Sequence, residues 1–422
     1  MSCRAIGVVS CVVAVGWTGL GLSARAQPSP EMMEEKIAKY RQGDAELRFT
    51  NEDGTPLAGA EIEARQLGHE FLFGCCLKTF AEQHMAGQAT YLETFAELFN
   101  YATTENAFKW APFEPARGQP HYKTTDQMAA WCIGNGITLK GHTLVWGARQ
   151  GRPSWLPWED VDEMGGLLET RVRTVVARYK GRVDIWDVVN EPVHTRQFEQ
   201  VFPDYVARAY RWAREENPNA MLVINDYDII GGSSSDEFFN LVKELIDQGV
   251  PIDAIGLQAH PGTVWLSPKQ VYDALDKFSV FGKEIHITEY TVPVDGRAIR
   301  GGYRKGKWDE QAQAEYYEEF YTTCFSHPAV SAITCWGHYR TWQKQGGLLR
   351  DDFTPKPAFH TLENLIHDTW RTRVGGKTDS EGRFAFRGFY GRYDVSAQLP
   401  DGTVKRWQFD LKKGVRNVIG LE

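Results

Sequence analysis

The chain has 422 residues, 42% of them hydrophobic and 24% charged, with a mean hydropathy of −0.42. These values exclude a disordered chain and a multispan membrane protein, and the length predicts two or three domains or one large barrel with attachments. The formal net charge of −8 disfavours a nucleic-acid partner.

Residues 1–26 read as a secretory leader. Arg4 precedes the uncharged stretch Ala5 to Ala24, and Ala24-Arg25-Ala26 makes a small-x-small cleavage site before Gln27-Pro28. A lipoprotein reading of Val8-Val9-Ser10-Cys11 has too few apolar residues ahead of the cysteine. No other long apolar run follows, so the mature chain is expected to be secreted or periplasmic, with no membrane attachment after leader removal. Beyond the leader, Cys75, Cys76, Cys132, Cys324 and Cys335 form neither a disulfide framework nor a zinc spacing. Buried free thiols are preferred to a Cys324–Cys335 pair.

From Ala45 to Arg65, two alternating strands flank the turn Asn51-Glu-Asp-Gly-Thr-Pro56 and read as a hairpin, which alone is barely stable. Eight apolar runs ending in polar or aromatic residues come next: Phe71 to Leu77, Tyr101 to Trp110, Thr138 to Trp146, Val183 to Pro192, Met221 to Asp228, Asp253 to His260, Glu284 to Thr291 and Ala329 to Gly337. Helical periodicity fills the intervals, for example Leu167 to Tyr179 and Asp309 to Phe325. Eight strand–helix units predict an α/β fold, a (β/α)8 TIM barrel, whose chemistry sits at the carboxyl ends of the strands. The tail adds strands at Arg383 to Arg387, Tyr393 to Gln398, Thr403 to Leu411 and Val415 to Leu421. Together the flanks resemble the two halves of a carboxypeptidase-regulatory-like or immunoglobulin-like β-sandwich. The expected division is a leader over 1–26, the N-terminal part of the sandwich over 31–69, a catalytic barrel over 70–372 and the C-terminal part of the sandwich over 373–422. Two separate β appendages are the alternative.

Two of the runs end in glutamates. The fourth closes Trp186-Asp-Val-Val-Asn190-Glu191-Pro192 and the seventh Ile285-His-Ile-Thr-Glu289-Tyr290. A lone rim carboxylate is more often a structural ion pair. Two from opposing sides of a barrel mouth, each in polar and aromatic surroundings, are the constellation of a glycosidase. A retaining enzyme needs its carboxyls about 5 to 5.5 Å apart and an inverting one a wider gap; sequence leaves both open.

Further segments share these strand ends: Thr104-Glu105-Asn106-Ala-Phe-Lys109-Trp110, Gly141-His142-Thr143-Leu144-Val145-Trp146, Asn225-Asp226-Tyr227, Gly256-Leu-Gln258-Ala-His260 and Cys335-Trp336-Gly337. In that order, from about residue 70 to 370, the chain resembles glycoside hydrolase family 10, whose best-known members are endo-β-1,4-xylanases. The resemblance implies Glu191 as acid/base and Glu289 as nucleophile. It places Asn190 on the sugar 2-hydroxyl, His260 beside the nucleophile and Gln258 beside the acid. It further implies sugar contacts from Glu105, Asn106, Lys109, His142, Trp146 and Tyr227, with Trp336 and Trp342 walling the site. A helical-spacing ion pair between Glu105 and Lys109 is the bland alternative. Regular alternation would send Asn190 and Glu191 to opposite faces, so a bulge or a strand end is expected there.

The chain departs from the family at three places. Trp336 and Trp342 are six positions apart, closer than is usual. Gly147 stands where a histidine normally follows the tryptophan, which is expected to open space near the site. A basic loop, Gly296 to Lys307, reads either as a solvated face or as a contact for uronic acid substituents. The leading reading is a secreted retaining endo-β-1,4-xylanase acting on a polysaccharide, with no metal or organic cofactor. The alternatives are another β-glycan or exo cleavage and, from a different class, a non-catalytic carbohydrate-binding protein. Oligomeric state is not legible.

Overall fold

The computed structural model describes residues 27–78, 88–343, 345–399 and 402–421; the leader read over 1–26 lies outside them. A helix, Pro30–Arg41, comes first. Ser29 caps it by accepting from the Met32 amide, Pro30 occupies its first turn, and Met33, Ile37 and Arg41 are buried at a spacing of four. From sequence, residues 31–41 are expected within the sandwich segment 31–69. Their apolar stripe instead faces the barrel, and the Arg41 guanidinium donates to the carbonyls of Phe325 (2.6 Å) and His327 (2.5 Å) at the end of the barrel helix Glu310–Ser326.

Strands β1 (Gln42–Phe49) and β2 (Glu61–His69) follow, then the barrel strands. These are β3 (Leu72–Leu77), β4 (Tyr101–Thr104), β5 (Thr138–Trp146), β6 (Ile185–Asn190), β7 (Met221–Asp226), β8 (Ala254–Ala259), β9 (Glu284–Tyr290) and β10 (Val330–Cys335). They close a parallel barrel in the order β10-β3-β4-β5-β6-β7-β8-β9. Helices such as Val161–Tyr179 and Glu310–Ser326 cover the outside, so these strands are buried on both faces and read as unbroken apolar runs. The (β/α)8 expectation therefore holds. All five cysteines among the described residues are buried and free, and no disulfide joins Cys324 to Cys335.

After the barrel come β11 (Arg373–Lys377), β12 (Arg383–Phe389), β13 (Gly391–Gln398), β14 (Val404–Leu411) and β15 (Asn417–Leu421). They form two sheets with the N-terminal strands, ordered β12-β1-β15 and β11-β2-β13-β14. β1 and β2 are thus not a hairpin. Asn51 and Gly54 still close the expected turn, but the chain crosses there from one sheet to the other. Alternation explains the crossing: β1 buries Ala45, Leu47 and Phe49 while β2 buries Ile62 and Ala64, and all five join Tyr393, Val395 and Leu411 in one cluster between the sheets. Each N-terminal strand takes its antiparallel partner from the C-terminal flank, β1 with β12 and β2 with β13. Aromatic rings join this unit to the barrel. Phe389 lies 6.2 Å from Phe325, which packs against Phe71 at 4.9 Å and Trp370 at 4.3 Å.

Candidate active site

Two irregularities aim the acidic side chains. The pairing of β6 slips between Asp187 and Val189, and Glu191, one residue past the strand, takes a φ of 55°. That left-handed conformation is costly for a residue with a Cβ. It is held by the Glu191 amide donating to Asn225 O at 2.6 Å and by the Glu191 carbonyl accepting from Thr195 N at 2.8 Å. The kink lets Asn190 and Glu191 serve one cleft. On the opposite side, pairing between β8 and β9 slips so that Gln258 stands beside Glu289.

Glu191 accepts from two neighbours, Trp146 Nε1 at 2.7 Å and Gln258 Nε2 at 3.0 Å. Glu289, only 6% exposed, accepts from His260 Nε2 at 3.0 Å and Asn225 Nδ2 at 3.4 Å. Asn225 Nδ2 also donates to Asn190 Oδ1 at 2.8 Å, while its own oxygen accepts from Thr288. The two glutamates consequently titrate apart. Burial, then the neighbouring charge of Glu289, pushes Glu191 up to about 7. Burial works against ionisation of Glu289 as well, but the His260 hydrogen bond, with the pull of His260, His142 and Lys109, outweighs it and holds that carboxyl below its ordinary value. A proton donor therefore faces an ionised carboxylate, the division of labour that glycoside cleavage requires.

The other residues singled out in the sequence surround this pair. Lys109 donates to Asn106 at 3.0 Å and lies 5.0 Å over the Trp146 ring. Glu105 pairs with Lys78 at 2.9 Å, so the helical ion pair offered as its bland alternative gives way to a different partner. His142 donates Nδ1–H to Asp187 at 2.8 Å, and its ring stands 5.3 Å from that of Trp336. Tyr227, 38% exposed, stacks at 3.7 Å on His194, which Asp226 holds at 2.6 Å. Trp342 is 64% exposed, with its ring 5.1 Å edge-on to His260. The short spacing from Trp336 leaves it at the rim rather than in the wall.

Three supporting residues had no role in the sequence reading. Asn225 bridges Asn190 to Glu289, Thr288 orients Asn225, and Asp187, buried with Lys140 at 2.8 Å, fixes His142. Asn225 ends its strand as Asn190 does, and that position was the available signal.

The Gly147 expectation fails. A Cβ there would lie 2.3 Å from Thr195 O and 2.8 Å from Gln197 Oε1, so the space is filled, by the turn that anchors Glu191. Gly147→Ala should accordingly cost roughly 1 to 3 kcal/mol from overpacking, read as a lower Tm, together with a lower kcat because the Glu191 turn must shift. A variant with wild-type Tm and kcat would show the turn to be compliant. The basic loop is also built rather than loose. Bridges join Ala298 to Lys307 and Val264 to Arg300, Arg297 pairs with Asp295 at 2.8 Å and Arg304 with Glu319 at 3.6 Å.

Comparison with known proteins agrees with this geometry. The family model described as glycosyl hydrolase family 10 matches residues 64–365. Endo-1,4-beta-xylanase B of Thermotoga neapolitana is 31% identical over 67% of this chain and 85% of its own length. Anti-sigma-I factor RsgI6 of Acetivibrio thermocellus is 30% identical over 91% of this chain but 48% of its own length, so the chain spans about half of that relative. Among solved structures, native xylanase 10B from Thermotoga maritima superposes with a TM-score of 0.62 at 28% identity, covering 71% of this chain and 96% of that one. Xylanase 10B from Thermotoga petrophila, solved with xylobiose, gives 0.62 at 29% identity over 71% and 95%.

Proposed function

The chain belongs to glycosyl hydrolase family 10, and on that premise we propose that it is a retaining endo-β-1,4-xylanase. The observation that carries the reading is the pair of glutamates at the strand ends, Glu191 held by Trp146 and Gln258 and Glu289 by His260 and Asn225, with Glu191 raised to about 7 and Glu289 lowered among aromatic and hydrogen-bonding side chains. The relatives whose names or titles mention xylanase or xylobiose support the choice of glycan.

In the first step Glu191 protonates the leaving glycosidic oxygen while Glu289 attacks the anomeric carbon, and a glycosyl ester forms on Glu289. In the second, Glu191 takes a proton from water, which displaces the sugar with net retention. Asn190, its side-chain oxygen held by Asn225, presents its amide to the 2-hydroxyl, where a hydrogen bond strengthens as oxocarbenium character grows. Chemistry on a polymer suits work outside the cytoplasm, in line with the leader read over 1–26.

The test is hydrolysis of arabinoxylan and carboxymethyl cellulose by the purified chain, with product lengths and anomeric configuration followed. Xylan cut to short oligomers with initial β-products is expected. Inversion would overturn the mechanism, and cleavage of the cellulose derivative alone would overturn the substrate.

A further inference from the structure

We propose that Arg149 and Arg152 form a subsite for the carboxylate of a uronic acid substituent on the polysaccharide, an inference that rests on the xylanase reading of the glutamate site. β5 leaves the barrel at Trp146, the residue that donates to Glu191, and the following loop turns back over the indole. Gly151 N donates to Ala148 O at 2.8 Å, and the Gly151 backbone lies so close to the ring that a Cβ there would fall 2.6 Å from it. This brings Arg149 and Arg152 to a cavity of about 430 Å³, lined also by Pro115, Ser154 and Trp158.

Neither guanidinium is neutralised among the described residues. Arg149 is exposed. Arg152 lies 4.5 Å over the Trp158 ring, which fixes its position without satisfying its donors, and its Nε is buried with no partner. No carboxylate lines the cavity, and three in the neighbouring segments are committed elsewhere: Glu114 accepts from Trp110 Nε1 and Gly118 N, Glu163 pairs with Arg117, and Asp160 caps the helix Val161–Tyr179. Two forked donors lining one cavity of an acidic chain match a planar carboxylate, which guanidinium binds in a bidentate manner. The basic loop 296–307 is the weaker site. Two of its arginines are paired, and its remaining cations are all exposed, none of them held against a ring among the described residues as Arg152 is, so salt screens them more fully.

The experiment compares kcat/KM on glucuronoxylan with that on the same polymer after its uronate carboxyls are reduced to alcohols. The wild-type chain is expected to prefer the carboxylated form about tenfold, as charge-assisted hydrogen bonds of this kind provide. Arg149→Gln/Arg152→Gln should bring the ratio close to one. Arg149→Gln alone, at an exposed position, should lower it partway and keeps the test open if the double variant fails to fold. Lys305→Gln/Lys307→Gln should leave the ratio as in wild type. Equal rates on both polymers with the wild-type chain, a ratio that survives loss of both arginines, or a ratio that collapses in the loop variant would each overturn the subsite. Absence of cleavage of either polymer would overturn the xylanase reading instead. Calorimetry with glucuronosyl-xylotriose against xylotriose then decides the subsite separately: tighter binding of the acidic oligosaccharide supports it and equal binding refutes it.

Discussion

Glu289→Gln is expected to lower kcat on xylan roughly 10⁵-fold, the scale on which loss of a covalent nucleophile is felt, while the protein stays folded. The substitution is nearly isosteric and leaves His260 and Asn225 with a side-chain oxygen to donate to. A second effect follows from the electrostatics. Burial is the first cause of the raised Glu191 titration and the Glu289 charge the second, so removing that charge should lower Glu191 from about 7 while burial keeps it above an ordinary carboxylate. The titration of isotopically labelled Glu191 carboxyl carbon in the variant measures this. The same shift has a use in the cycle: once Glu289 is esterified it carries no charge, and Glu191 becomes a stronger acid, hence ready to be the ionised base that the second step needs. An active Glu289→Gln enzyme would remove Glu289 from the nucleophile's role, and an unmoved Glu191 titration would show the two carboxyls to be uncoupled.

The barrel was legible because parallel strands covered on both faces have to be apolar along their length, and Val188-Val189 or Ile255 and Leu257 leave no other reading. Glu191 and Glu289 were legible for the converse reason, since a carboxylate at the end of such a run is too costly to be idle. Long-range partnership was not legible. β1 and β2 alternate as a hairpin would, and only the supply of partners from residues 383–398, more than three hundred positions away, decides that they lie in different sheets. The helix Pro30–Arg41 carried its signals in Ser29 and Pro30, yet its apolar stripe is only Met33 and Ile37 ending in an arginine. Its stability comes from docking on the barrel, which no local pattern reports. Gly147 differs in kind. An absent side chain leaves no empty space there, because the fold closes that space with the backbone of Thr195.

Removal of Glu191 should separate the two halves of the reaction. In the wild-type chain the productive form has Glu191 protonated and Glu289 ionised. kcat/KM is therefore expected to fall as pH rises through about 7 and to fall again as pH drops through the lowered value of Glu289, below 4.5. In Glu191→Ala the alkaline limb should vanish and kcat on xylan should drop about 10²- to 10⁴-fold, the worth of a positioned general acid. The loss should be much smaller in the first step with an aryl xylobioside whose leaving group is already a weak base, because that departure needs no proton. Water then lacks its base, so the glycosyl ester on Glu289 should accumulate and be visible as a mass increment on intact protein. A small anionic nucleophile such as azide needs no base, and it should restore turnover and yield a glycosyl azide of β-configuration. An alkaline limb that persists in Glu191→Ala would assign that limb to another group. Turnover indifferent to azide would mean that Glu191 does not act on the second step at all.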